Sequence, residues 1–172
     1  MLFFSRSRVL TLLLTAAVVS LFAVPDRLIA QSATIEFRMV DQSMSVEQAQ
    51  QSHPPPDSEI LFAAADKRPY LVEKRVLLSS ADMCDAQADY DQRTSEPIVK
   101  FRFTAAGTKI FAQLTQDNVG RPFAIVLNNE VLSAPVVREP ILGGSGQISG
   151  KFTVVQANDL AIAIRAGATP KC

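Results

Sequence analysis

Few side chains in this sequence are equipped for a reaction, and their spacing limits what they can do. His53 is the single histidine. It stands beside Pro54-Pro55-Pro56 in a polar stretch, where no rigid element would hold it against a nucleophile as a catalytic device requires. Cys84 and Cys172 are the two cysteines, and one histidine with two distant thiols does not make the three or four ligands of a zinc site. Asp82, Asp85, Asp89 and Asp91 form an acidic cluster. They lack the alternating acids, the turn glycine and the closing glutamate of a calcium loop, so they read as a solvated face. The run from Gly143 to Gly150, GGSGQISG, has the glycine content of a phosphate cradle. A nucleotide loop needs a helix directly after it and, in the Walker form, a Lys-Ser/Thr pair, and here a strand-like segment follows. No catalytic, cofactor or metal site is expected, and no enzyme. Gly143, Gly144, Ser145 and Gly146 instead predict a flexible turn beside edge strands, a place where backbone groups can meet an extended polypeptide.

The elements that must position this turn are legible in the hydrophobic periodicity. Thr34–Val40 alternates as a half-buried strand, and Tyr70–Leu78 and Pro97–Phe103 do the same. Asp41 to Asp57 is polar and carries the three prolines, which predicts a linker. Ile60–Ala65 is a short strand candidate. Ser79 or Ser80 caps a predicted helical turn through Asp82 to Ala86. Thr104 caps a longer helix with Ile110, Phe111 and Leu114 on its apolar face, and Asn118 and Gly120 end it. Gly107 within that helix predicts a close approach to a neighbouring strand. Phe123–Leu127 is apolar enough for a central strand, and Asn128-Asn129 suit a tight hairpin. Val131–Val137 returns, interrupted at Pro135, and Gln147–Phe152 adds a further strand. Thr153 and Gln156 form a capping box for a last helix whose buried side is Ala157, Leu160, Ala161 and Ile164, with Gly167 at its end. The fold class is α+β: a mostly antiparallel sheet of hairpins with two main helices packed on it.

The chain has 172 residues, with 17 Lys+Arg against 17 Asp+Glu. That balance argues against nucleic acid as a partner, because phosphate neutralisation needs a cationic face. Arg6 and Arg8 precede an uncharged apolar run, Val9 to Val24. Residues 1–30 therefore read as a secretory signal or, if uncleaved, as a signal-anchor helix tying the chain to the inner membrane through residues 9–24. Both readings place the rest outside the cytoplasm. Residues 31–68 read as a strand plus a Pro/Gln-rich linker, and 69–172 as the main domain. In an oxidising compartment Cys84 and Cys172 either form a disulfide or remain two unpaired thiols. A bridge closing so long a loop would contribute roughly 4–5 kcal/mol in the chain-entropy picture.

Several linked motifs carry a family resemblance. They are Thr104-Ala105-Ala106-Gly107, then Asn118-Val119-Gly120-Arg121-Pro122-Phe123, then Val131-Leu132-Ser133-Ala134-Pro135-Val136, then GGSGQISG, then Ala157-Asn158-Asp159-Leu160-Ala161 and Ile164-Arg165-Ala166-Gly167. In this order they resemble the first large extracytoplasmic region of SecD, the protein-export membrane subunit that works with SecF beside the secretion channel. The similarity runs from about Tyr70 to Pro170, with a weaker echo in IEFRMVD. It departs from the family at Asn128-Asn129, where Asp-Gly is usual, and at Thr169, where Leu is expected. The resemblance implies a periplasmic α+β region with a base and a mobile head that holds emerging preproteins. It implies preprotein and SecF- or SecY-type translocase subunits as partners. The family couples that movement to proton flow through transmembrane helices, which do not follow Cys172 in this sequence, so proton-driven work is not carried over. The leading expectation is a non-catalytic SecD-like domain that assists export by binding polypeptide or translocase components. The alternative is a periplasmic structural or regulatory module with the same fold and no direct role in translocation.

Overall fold

Alternating strand residues are sorted to opposite faces of a sheet, and here that sorting builds two separate apolar clusters. In the computed structural model, residues 34–169 and 172 are described. The signal or anchor reading of residues 1–30 lies outside them. The described residues belong to one unit, Gln31–Cys172. Its elements in chain order are β1 (Ile35–Met39), α1 (Val46–Ser52), β2 (Ser58–Ala63), β3 (Pro69–Glu73), β4 (Leu78–Ser79), β5 (Met83–Tyr90), β6 (Pro97–Phe103), α2 (Ala105–Asp117), β7 (Phe123–Leu127), β8 (Glu130–Ser133), β9 (Ser145–Ile148) and α3 (Val154–Gly167). A 3-10 turn, Ser80–Asp82, joins β4 to β5.

The strands form a six-stranded sheet in the order β3-β2-β8-β7-β1-β4 and a three-stranded sheet in the order β5-β6-β9. All pairs are antiparallel except β2 with β8. The six-stranded sheet curls until β3 meets the residues after β1: Val40 bridges to Val72, and Asp41 N donates to Leu71 O at 2.9 Å. The observed architecture is thus α+β, mostly antiparallel, with two long helices and the short α1.

Ile35, Phe37 and Met39 of β1 join Phe123 and Ile125 of β7, Val99, Phe101 and Phe103 of β6, Phe111 of α2 and Leu160 and Ile164 of α3 in the main core. Ala124 and Val126, the alternate residues of β7, join Leu61, Val72 and Val131 in a smaller cluster on the other face.

The helix ends follow their local signals. Thr104 Oγ1 accepts from Gly107 N at 3.1 Å, and Thr153 with Gln156 forms the reciprocal capping box. The Asn128-Asn129 hairpin takes positive φ at both residues (48° and 65°), the geometry a two-residue turn needs.

Four local expectations meet a different outcome. The 41–57 linker contains α1, capped by a box between Ser45 and Gln48; the proline run lies after it and cannot disrupt it. The helical turn expected through Ala86 stops at Asp82, and Met83 starts β5 because Met83 and Ala86 are buried against the core while the strand pairs with β6. Tyr70–Leu78 is not one strand, since Lys74–Leu77 leaves the ladder between β3 and β4. Ile110 does not share a face with Phe111: Phe111 is buried, whereas Ile110 is 46% exposed. Gly107 does mark a close approach: a Cβ there would lie 2.6 Å from Asp82 O in the 3-10 turn and 3.2 Å from Cβ of Phe103 on β6.

Candidate functional site

The glycine turn is held by α2 before it becomes a strand. Thr108 and Thr115 stand seven residues apart on α2, near one side of the helix. Thr115 is fully buried; its hydroxyl donates to Phe111 O at 2.9 Å and accepts from Ile141 N at 2.9 Å. Gly144 is buried at φ 62° over Thr108, so close that a Cβ would lie 2.0 Å from Thr108 Oγ1. Its carbonyl accepts from Phe103 N at 2.8 Å. The predicted flexible tip is therefore stapled to α2 and β6 at Ile141 and Gly144. Leu142 and Gly143 are the exposed residues between these anchors, and a side chain at Gly143 would meet open space. The two threonines were not singled out by sequence reasoning, although their seven-residue spacing was a usable signal.

Ser145 and Gly146 are not loop residues but the first half of β9. Ser145 pairs with Arg102, Gly146 with Phe101, Gln147 with Lys100 and Ile148 with Val99. Gly146 lies beneath the Phe101 ring, with its missing Cβ 2.7 Å from Cζ. Ile148 is buried, whereas Ser145 and Gln147 are exposed. Because β9 is the last strand of its sheet, its outer backbone groups are those of a sheet edge, where an extended chain can add.

The surface beside this edge is charged and ordered. On β5 and β6, Asp89 Oδ2 lies 2.5 Å from Lys100 Nζ and Asp85 Oδ2 lies 3.8 Å from Arg102 Nη2. Gln147 Nε2 donates to Asp91 Oδ2 at 3.2 Å, tying β9 to the β5–β6 turn. The hydrogen bond from Lys100, with a backbone bond from Tyr90, holds the Asp89 carboxyl below the usual carboxylate range. Backbone N–H groups of Thr94 and Arg93, then Gln147, do the same for Asp91. Asp82 accepts from Ser79 N at 2.8 Å as part of a cap. Each of the four aspartates of the cluster thus serves its own local partners. Among the described residues no three His, Cys, Asp or Glu side chains are grouped as a metal would need. His53 is exposed at the end of α1 with φ 78°.

Cys84 on β5 and Cys172 lie with Sγ atoms 2.08 Å apart, disulfide geometry, with Cα atoms 5.0 Å apart. The segment after α3 is brought there by hydrogen bonds. Arg165 Nη1 donates to Ala86 O, Thr169 N to Met83 O at 2.9 Å, and Thr169 Oγ1 to Ala81 O at 2.7 Å.

The family described as SecDF, P1 head subdomain, matches residues 58–171. The chain belongs to this family. The SecDF P1 head match spans β2 through the segment after α3, so it contains both the glycine turn and the β9 edge. Relatives include the protein translocase subunit SecD of Rickettsia bellii, 42% identical over 144 residues. The same subunit of Acetobacter pasteurianus is 42% identical over 151 residues. These alignments cover 83% and 85% of this chain but 27% and 28% of the relatives, so the chain spans little more than a quarter of their length. A solved structure of SecDF, a membrane component that enhances protein export, superposes with a TM-score of 0.60 at 32% identity. It covers 81% of this chain and 64% of that one. No helix among the described residues is long and apolar enough to cross a membrane.

Proposed function

We propose that this chain is an extracytoplasmic, non-catalytic SecD-type domain that assists protein export by holding extended polypeptide along the outer edge of β9. The observation that carries this reading is the position of β9: a terminal strand, entered through Gly143–Gly146, in a chain of the SecDF P1 head family. A segment aligned there would gain main-chain hydrogen bonds that any sequence can make, which suits a domain that meets many different preproteins. The edge is four residues long, so each encounter supplies a few bonds and releases readily. Membership in a family named for a translocase component supports preprotein or SecF- and SecY-type subunits as the occupants, and a periplasmic location.

The test uses Gly143, because a side chain there meets open space while one at Gly144 would strike Thr108. A photo-crosslinking amino acid at Gly143 in the full chain, in cells exporting a tagged preprotein, should yield adducts with that preprotein or a translocase subunit. The same probe at Lys67, on another turn, should not. Adducts with unrelated envelope proteins alone would overturn the export reading in favour of a regulatory module of the same fold.

A further inference from the structure

The apolar side chain that α2 fails to bury has surroundings of its own. Ile110 (46% exposed) and Val76 (44% exposed) line a groove of about 530 Å³ between α2 and the Lys74–Leu77 segment, floored by the half-buried Leu114. Arg75 and Lys109 line the same groove. Most cations of the described residues are engaged: Arg38, Lys67, Lys100, Arg102 and Arg121 in ion pairs, Arg68 over the Tyr70 ring, Lys74 on a carbonyl. The side chains of Arg75 and Lys109, like those of Arg138 and Lys151 elsewhere on the surface, make no hydrogen bond, ion pair or ring contact, and only the first two share a groove. The one acid of the groove, Asp117, sits two turns along α2 from Lys109 and already accepts from Gln113 Nε2 at 2.8 Å.

From this we infer that the groove docks an acidic amphipathic helix of a partner protein. Ile110 and Leu114 form an i, i+4 ridge, and Lys109, Gln113 and Asp117 form a second one, the surface relief into which another helix packs. An apolar stripe on the partner covers Val76 and Ile110, and carboxylates beside that stripe meet Arg75 and Lys109. This site differs from the β9 edge in both chemistry and occupant. It selects a folded, acidic partner by side chains, where the edge takes extended chain by backbone.

The experiment uses the full chain and a labelled synthetic Leu/Glu amphipathic helix of about 18 residues, five turns, with a Leu/Lys helix of the same pattern as control. The acidic helix should bind, with amide shifts confined to residues 75–77 and α2, and should weaken as salt rises. The Lys helix should not bind. Reversing both cations (Arg75→Glu with Lys109→Glu) should weaken binding by about tenfold or more. Ile110→Ser should weaken it less, and since all three side chains are exposed, thermal melts should be unchanged. Equal binding of both helices, no binding of either, or an affinity indifferent to the charge reversal would each overturn the inference. So would a surface that ignores the acidic helix yet binds phosphatidylglycerol vesicles, which would reassign the cations to lipid.

Discussion

Phe37 and Arg38 are neighbours on β1, both buried, and they stabilise opposite faces of the same sheet by different physics. The Phe37 ring lies 5.4–6.0 Å from the rings of Phe101, Phe103, Phe111 and Phe123, which come from both sheets and α2. Arg38 is 3% exposed on the other face. Its Nη2 donates to Glu59 Oε1 at 2.6 Å and its Nε to Glu73 O at 2.6 Å, and Glu36 lies 3.6 Å from Nη1. The aromatic side joins elements distant in sequence through area and shape. The ionic side stitches β1 to the β2–β3 hairpin where the sheet curls. Burial gives the first its strength, whereas the second must recover the cost of desolvating a guanidinium before it contributes anything.

Three perturbations separate the two sides, from the largest effect to the smallest. Phe37→Ala empties the centre of the aromatic cluster and should cost about 3–5 kcal/mol, read as a large drop in denaturation midpoint. A loss below about 1 kcal/mol would mean that the two sheets are not held together through this ring. Glu59→Ala removes the closest acidic partner of Arg38. Glu59 is 36% exposed in its side chain, so water replaces part of the interaction, and the expected loss is about 2 kcal/mol. Arg38→Met, which removes the charge as well, should cost less than Glu59→Ala. The reverse order would show that the ion pair is a net contributor.

The smallest effect lies at Asp41 and Ser58, next to the same curl. The Ser58 hydroxyl donates to Asp41 Oδ2 at 2.5 Å, and this bond, opposed by desolvation and aided by Ser43 and Arg121, holds the Asp41 carboxyl below its ordinary value. The unfolded chain then takes up a proton first as pH falls. The stability from this group is complete above the ordinary carboxyl pKa of about 4 and is lost as pH drops towards the lower folded value. Ser58→Ala should cost about 1 kcal/mol at neutral pH and flatten the fall in stability between pH ~5 and ~3. Unfolding curves at both pH values check this, and an unchanged slope would refute it.

The Thr153–Gln156 capping box, the Asn128-Asn129 turn, the alternation of β1 and β6 and the break at Pro135 were legible because each is a contest between a few adjacent groups. A hydroxyl either reaches the N–H three residues on or it does not. The glycine turn was legible as a candidate for the same reason, but its anchoring was not. Nothing near Gly144 in sequence announces that Thr108, thirty-six positions earlier, lies against it. The same is true of Ile110, which helical spacing put on one face with Phe111 although only Phe111 is turned to the core.

By itself the sequence determined the α+β class, the ends of the two long helices, the family and the absence of any spacing that suits a catalytic triad or zinc set. The class and the helix ends rest on local hydrogen bonds, backbone sterics and periodicity, and the family rests on its resemblance in several motifs taken in order. Only the tertiary structure decided that β2 runs parallel to β8, that the sheet curls until β3 meets β1, that Cys84 and Cys172 come within bonding distance, and that β9 ends its sheet. Each of those depends on which distant apolar surfaces cover one another, a choice made by burial over the whole chain.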